Sequence, residues 1–261
     1  FGDNIAGREQ VTSLLSGMQG ASRIPLLLGV DEEGGLVSRL SGAGITQRYD
    51  PMAVYGAEGA TDRVEEIGGE LAAALRSVGF TVDFAPVADI VTNPNNTEIG
   101  SRSFSSDPAV ASEMVRAMVR GLQNGGCGAC LKHFPGMGST EADSHYGTSV
   151  SPRTLDELRQ SELLPFAAGI DEGVGMVMVS HMSLPNALGD DTPCDLSPEI
   201  VTGLLREELG FNGVVITDSH AMASISARYG AGEAALLAIQ AGCDIVLMPS
   251  DLDAAVTALL H

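Results

Sequence analysis

The densest run of reactive side chains in this 261-residue sequence is Lys132-His133, followed by Phe134-Pro135-Gly136-Met137-Gly138 and then by Asp143-Ser144-His145. An apolar strand ends, two basic groups emerge, and a Pro/Gly-rich loop begins. Asp143 and His145 are two residues apart, so an extended backbone lets both point the same way. A carboxylate beside an imidazole fixes its tautomer and supports its protonated form, which suits a general acid/base near neutral pH. Taken alone, Asp-Ser-His is an ordinary polar loop; its place directly after Lys-His-Phe-Pro-Gly gives it weight. Asp218 closes the run Val214-Val215-Ile216-Thr217. A carboxylate at the end of a buried strand is costly unless it is paired or functional. It reads either as the N-cap of a following helix or as a nucleophile toward a sugar carbon.

Asp31, in Gly29-Val30-Asp31-Glu32-Glu33-Gly34-Gly35, can accept hydrogen bonds from a pair of hydroxyls, while Arg39 and Arg102 can donate several in fixed geometry. His181 ends a further apolar run. Glu32 and Glu33 read as solvated or bonded to the loop backbone. Lys132 is the sole lysine beside thirteen arginines.

The elements that must carry these groups alternate in type. Apolar, β-branched runs lie at 24–30, 80–85, 130–134, 176–180, 214–217 and 244–248. Between them, apolar positions recur at helical spacing over 62–78 and 108–123. Thr154 with Glu157 forms a capping-box pattern for a helix over 155–169. Ser197-Pro198 opens 199–209 with Gly210 as its stop, and 231–241 ends at Gly242. Continuous apolar strands alternating with helices imply a parallel sheet covered by helices. A doubly wound nucleotide binder would carry a Gly-rich phosphate turn after its first strand, but Asp31-Glu32-Glu33 would repel phosphate there. Asp31, Asp89, Lys132-His133, His181 and Asp218 all follow strand ends, the pattern of a (β/α)8 barrel. A TIM-like (β/α)8 barrel is therefore expected, irregular or N-terminally truncated, as a single domain over 1–261. The opening Phe1-Gly2-Asp3-Asn4 reads as the tail of a clipped strand. No signal peptide is visible, and a sequence that does not start with Met is uninformative on that point.

The formal net charge of −20 disfavours nucleic acid and anionic lipid as partners. No apolar run approaches the ~20 residues needed to span a bilayer. The four cysteines, Cys127, Cys130, Cys194 and Cys243, include one C-x-x-C without the second pair that zinc binding would need. They read as small buried thiols, although a disulfide would fit an exported protein. A secreted or cell-envelope setting is favoured over a cytoplasmic one, and a monomer is expected.

In order along the chain, Gly29–Gly35 with Arg39, Asp83–Asp89, Gly100–Phe104, Lys132–Gly138 with Asp143–His145, and Leu205–Ser219 resemble glycoside hydrolase family 3, in particular its bacterial β-N-acetylglucosaminidases. The resemblance implies a barrel with Asp218 as nucleophile and His145, held by Asp143 on a mobile loop, as acid/base. It implies that Asp31, Arg102, Lys132 and His133 grip sugar hydroxyls, with Arg39 nearby and His181 a further substrate-binding candidate. A retaining enzyme that removes terminal β-linked N-acetylglucosamine from a peptidoglycan- or chitin-derived substrate would follow, with no cofactor or metal. Transfer to phosphate is a side activity that a His acid/base would permit. Two positions depart from the family pattern: His220, expected to alter the leaving-group side, and Met137, where the subgroup often has His. Three rival readings are a metal-dependent hydrolase using His133, His145, His181, Asp31 and Asp218, a non-catalytic sugar-binding protein, and a β-glucosidase of the same family.

Overall fold

The computed structural model describes residues 2–140 and 149–261. Its strands are β1 (Gly29–Val30), β2 (Glu32–Gly34), β3 (Val37–Ser38), β4 (Val82–Asp83), β5 (Gly128–Phe134), β6 (Met176–Val179) and β7 (Val214–Thr217). Five of them form a parallel sheet in the order β1-β4-β5-β6-β7, and β2 and β3 make a separate antiparallel pair. Strand order therefore follows chain order without reversal. A doubly wound sheet would have to reverse at a switch point; an unreversed parallel series is the wall of a (β/α)8-type barrel. Ile245 pairs in parallel with Ile216 and begins a further strand position beyond β7.

The helices are α1 (Arg8–Ala21), α2 (Met52–Glu58), α3 (Thr61–Val78), α4 (Pro108–Asn124), α5 (Leu155–Gln160), α6 (Leu163–Asp171), α7 (Pro185–Leu188), α8 (Ala223–Ser226), α9 (Ala231–Ala241) and α10 (Leu252–Leu260), with a π-type helix at Glu199–Glu208. The apolar stripe of α3 (Ile67, Leu71, Leu75) and that of α4 (Met114, Met118, Leu122) are fully buried. The two helices approach at Gly68 and Gly121, where a Cβ on Gly121 would overlap the Glu65 carbonyl. Phe134 at the end of β5 meets Phe166 of α6 edge to face, with ring centroids 5.3 Å apart.

Three expectations change in detail. The helix predicted over 155–169 is two helices. Thr154 and Glu157 do form the reciprocal capping box of α5, but Ser161 leaves helical geometry (φ −144°, ψ −77°). Pro165, four residues on, has a ring that would clash with the Ser161 carbonyl in a continuous helix. The strand predicted from Ile24 starts only at Gly29, because Pro25 has no N–H for the ladder and the Leu26 N–H is held by the Gln19 side chain at 2.9 Å. Gly2–Asn4 is a short 3₁₀ turn rather than the tail of a strand. All four cysteines are free and buried, so no disulfide forms among them. No helix of the described residues is long and apolar enough to cross a membrane.

Candidate active site

The exit of β5 is clamped by a buried carboxylate from the loop after β4. Asp89 Oδ2 accepts from the His133 backbone N–H at 3.0 Å and faces the ring Nδ1 at 2.7 Å, and Oδ1 accepts from the Met137 N–H at 2.7 Å. This makes Nδ1 the protonated ring nitrogen and leaves Nε2 3.4 Å from Arg102 Nη2. The backbone can pass this close to the β4 loop because position 138 is glycine; a Cβ there would overlap the Ile90 carbonyl.

Lys132 emerges beside His133 and is fully buried. Its Nζ lies 2.7 Å from Asp31 Oδ1 and 2.5 Å from Glu33 Oε1. Arg102 in turn grips Glu33 with Nε at 2.9 Å and Nη2 at 2.7 Å, a bidentate pairing. Burial alone would raise the Glu33 carboxyl, but Lys132 and Arg102 outweigh it and hold Glu33 down at about 2. Burial likewise opposes ionisation of Asp31, and Lys132 overrides it to bring that carboxyl below its ordinary value. Burial would strip the Lys132 proton, and Asp31 and Glu33 instead push its pKa up. The result is a fixed chain of alternating charges, Asp31–Lys132–Glu33–Arg102, ending against His133.

Asp218 follows β7. Its Oδ1 accepts from the Ser219 N–H at 2.7 Å, and its Oδ2 has no partner among the described residues. Asp218, Asp31, Arg39, Arg102, Lys132 and His133 line one cavity of about 520 Å³, a size that suits a small ligand. Met178, Met222, Leu247 and Met248 add apolar lining. Met248 holds φ +47°, the one positive value on a non-glycine among the described residues. A second cavity, of about 440 Å³ between Leu155, Leu188, Leu196 and Tyr229, has no described cation in its wall. One cavity thus joins a fixed array of alternating charges to a carboxylate with one oxygen that no described residue engages.

The family model described as Glycosyl hydrolase family 3 N terminal domain matches residues 1–261. The chain belongs to glycosyl hydrolase family 3. Among relatives of this family 3 chain, the beta-hexosaminidase of Stenotrophomonas maltophilia (strain R551-3) is 39% identical over 254 residues, covering 95% of this chain and 74% of the relative. A solved family 3 beta-N-acetylglucosaminidase from Paenibacillus sp. str. FPU-7 superposes with a TM-score of 0.95 at 38% identity, over 100% of this chain and 50% of that one. NagZ from Neisseria gonorrhoeae, in complex with N-trifluoroacetyl-D-glucosamine, gives 0.88 at 32% identity over 98% and 75%. The chain thus spans half the length of the Paenibacillus structure and about three quarters of the Stenotrophomonas relative.

Of the sequence-predicted site residues of this family 3 chain, Asp31, Arg39, Arg102, Lys132, His133 and Asp218 come together in the cavity. Asp143 and His145 lie outside the described residues. Two residues singled out in the sequence turn inward and are not in the cavity lining. His181 is fully buried, with its Nε2 donating to the Ser219 carbonyl at 2.9 Å. His220 is 1% exposed and its Nε2 donates to Asp195 at 2.9 Å. Glu33, read as solvated or backbone-bonded, is instead the buried carboxylate between Lys132 and Arg102. Glu32 does bond the loop, accepting from the Arg39 and Leu40 N–H groups and from Ser38 and Thr46 hydroxyls. Asp195 was missed. Its signal was an acidic residue inside the otherwise small and apolar Pro193–Leu196, which is weak without the fold.

Proposed function

We propose that this family 3 chain carries the catalytic site of a retaining β-N-acetylglucosaminidase. The carrying observation is that Asp218, with one carboxylate oxygen that no described residue engages, opens on the same cavity as the Asp31–Lys132–Glu33–Arg102 charge chain and His133. Beta-hexosaminidase relatives and the N-trifluoroacetyl-D-glucosamine complex of a structural neighbour support N-acetylglucosamine as the sugar.

In this reading Asp31 Oδ2, which no described residue engages, accepts from a sugar hydroxyl, while Lys132, Arg102 and His133 donate or receive around the ring. These groups are already ordered by one another, so binding does not have to organise them. The apolar side chains of Met178, Met222 and Leu247 supply a surface for the less polar face of a pyranose. Asp218 Oδ2 attacks the anomeric carbon as the glycosidic C–O bond breaks, and His145 delivers a proton to the departing oxygen. Water, deprotonated by His145, then displaces Asp218 from the sugar, and two inversions give net retention. Asp143 holds the His145 imidazole in this scheme. Both roles rest on the motif that follows Lys132–Gly138.

Hydrolysis of paired p-nitrophenyl β-N-acetylglucosaminide and β-glucoside tests the reading. A clear preference for the first, with the β-anomer of the sugar as initial product, is expected. Equal rates on both substrates, a preference for the glucoside, or the α-anomer would overturn it.

A further inference from the structure

Directly behind Asp218 lies a buried group of side chains that makes no contact with the cavity. Asp195 sits in the short turn Cys194–Leu196 and is fully buried. One of its oxygens faces His181 Nδ1 at 3.1 Å and the other accepts from His220 Nε2 at 2.9 Å. His181 spends its second nitrogen on the Ser219 carbonyl, and the two rings pack edge to face with centroids 5.4 Å apart. The backbone joins the same elements: the Asp195 N–H donates to Ser180, the Asp218 N–H to Val179 and the His220 N–H to Leu247. Ser219 is therefore held on both sides, its carbonyl by His181 and its N–H by the Asp218 carboxylate.

We propose that Asp195, acting through His181 and His220, is a positioning residue that sets the orientation of Asp218. The inference rests on the reading of Asp218 as nucleophile. A fully buried carboxylate is costly unless it is matched, and here His220 donates to one oxygen at 2.9 Å while His181, 3.1 Å from the other, answers by charge proximity and holds the Ser219 carbonyl directly after the reacting group. Burial works against a charge on His181, yet Asp195 and, further off, Asp218 raise its pKa to about 9. Burial also opposes ionisation of Asp195, and His181 and His220 outweigh it to lower that carboxyl. The ionisable groups facing His181 are Asp195 from the turn before the π-type helix and Asp218 and His220 from the segment after β7; Cys243 faces Asp195 from behind, with Sγ 3.6 Å from its carbonyl. The imidazolium thus persists through neutral pH and donates a charge-assisted bond to Ser219. The three side chains bring ligand-type atoms within 4.8 Å of one another; only Asp195 Oδ2 accepts a hydrogen bond, from His220 Nε2, while Asp195 Oδ1, His181 Nδ1 and His220 Nδ1 are buried without a hydrogen-bond partner among the described residues.

The test compares wild type with Asp195→Asn, His220→Gln and His220→Leu, each first checked for a cooperative thermal transition. With p-nitrophenyl β-N-acetylglucosaminide, Asp195→Asn should lower kcat by about 10- to 100-fold while KM stays within about twofold. His220→Gln, which keeps a donor toward Asp195, should retain most activity, and His220→Leu should not. The alkaline limb of the wild-type profile, near 9 from His181, should move toward neutral in Asp195→Asn. Ring ¹⁵N–¹H spectra should show one imidazolium surviving to about pH 9 in wild type and lost in Asp195→Asn. That signal is read whether or not the sugar substrate is cleaved. An inactive wild type therefore sinks the proposed function and this inference with it, whereas an active wild type with unchanged variants sinks this inference alone. A folded Asp195→Asn with kcat within about twofold of wild type, a loss confined to KM, or wild-type activity abolished by EDTA would each overturn it.

Discussion

The Lys132 ammonium lies 2.5 Å from the Glu33 carboxylate in a site where both side chains are no more than 3% exposed. The chain's sole lysine is thus spent on a buried electrostatic junction between β2 and β5. Removing one partner of such a junction leaves the other charged and unmatched. Lys132→Met should therefore destabilise the fold by about 3–5 kcal/mol, read as a fall in the urea midpoint with an unchanged slope. An unaltered midpoint would show that Asp31 and Glu33 find other partners.

Glu33 predicts an acid limb of stability. Its folded pKa is depressed from 4.5 to about 2 by Lys132 and Arg102 acting against burial. A depressed carboxylate contributes stability that is present above pH 4.5 and disappears as pH falls toward 2, because the unfolded chain then binds the proton first. The contribution is on the order of 3 kcal/mol. Denaturant titrations at pH 5, 4 and 3 should show that decline, and Glu33→Gln should flatten its share of it while lowering stability at pH 7.

Asp218→Asn should keep the fold, since the carboxylate's one hydrogen-bond partner among the described residues, the Ser219 N–H, can still bond the amide oxygen. Under the proposed mechanism turnover should drop by about 10⁴-fold or more. In Asp218→Ala, whose truncated side chain leaves room for a small nucleophile, azide should restore part of the rate for an activated aryl glycoside. A variant with near-normal turnover would remove Asp218 from the chemistry.

Gly138→Ala tests the contact that brings the loop after β5 against the loop after β4. The added methyl would meet the Ile90 carbonyl, which belongs to backbone and cannot swing away. A loss of about 1–3 kcal/mol is expected from overpacking. Because Asp89, on the loop after β4, bonds both His133 at the end of β5 and Met137 on the loop that follows, activity should fall further than stability alone accounts for. The measurement is kcat/KM at a temperature where the variant is fully folded.

Much of this protein was written into its sequence. The β7 strand was readable residue for residue because it is a continuous β-branched run buried along nearly its whole length, and α9 because Gly242 supplies the left-handed stop at φ +115°. Asp31, Lys132, His133 and Asp218 could be picked out because strand ends are where polar groups are conspicuous beside apolar runs. What the sequence could not decide was which polar groups turn toward the cavity and which turn inward. His181 and His220 stand beside site residues in the chain, but both point into the core because Asp195, distant in sequence, waits there with a carboxylate. Glu32 and Glu33 are neighbours of the same type, yet one ties up a loop and the other bridges Lys132 and Arg102, since adjacent residues of an extended chain face opposite ways. Pairings between groups far apart along the chain exist only once the barrel wall has brought its loops to one end, and such pairings determine the charge and direction of every group in the site.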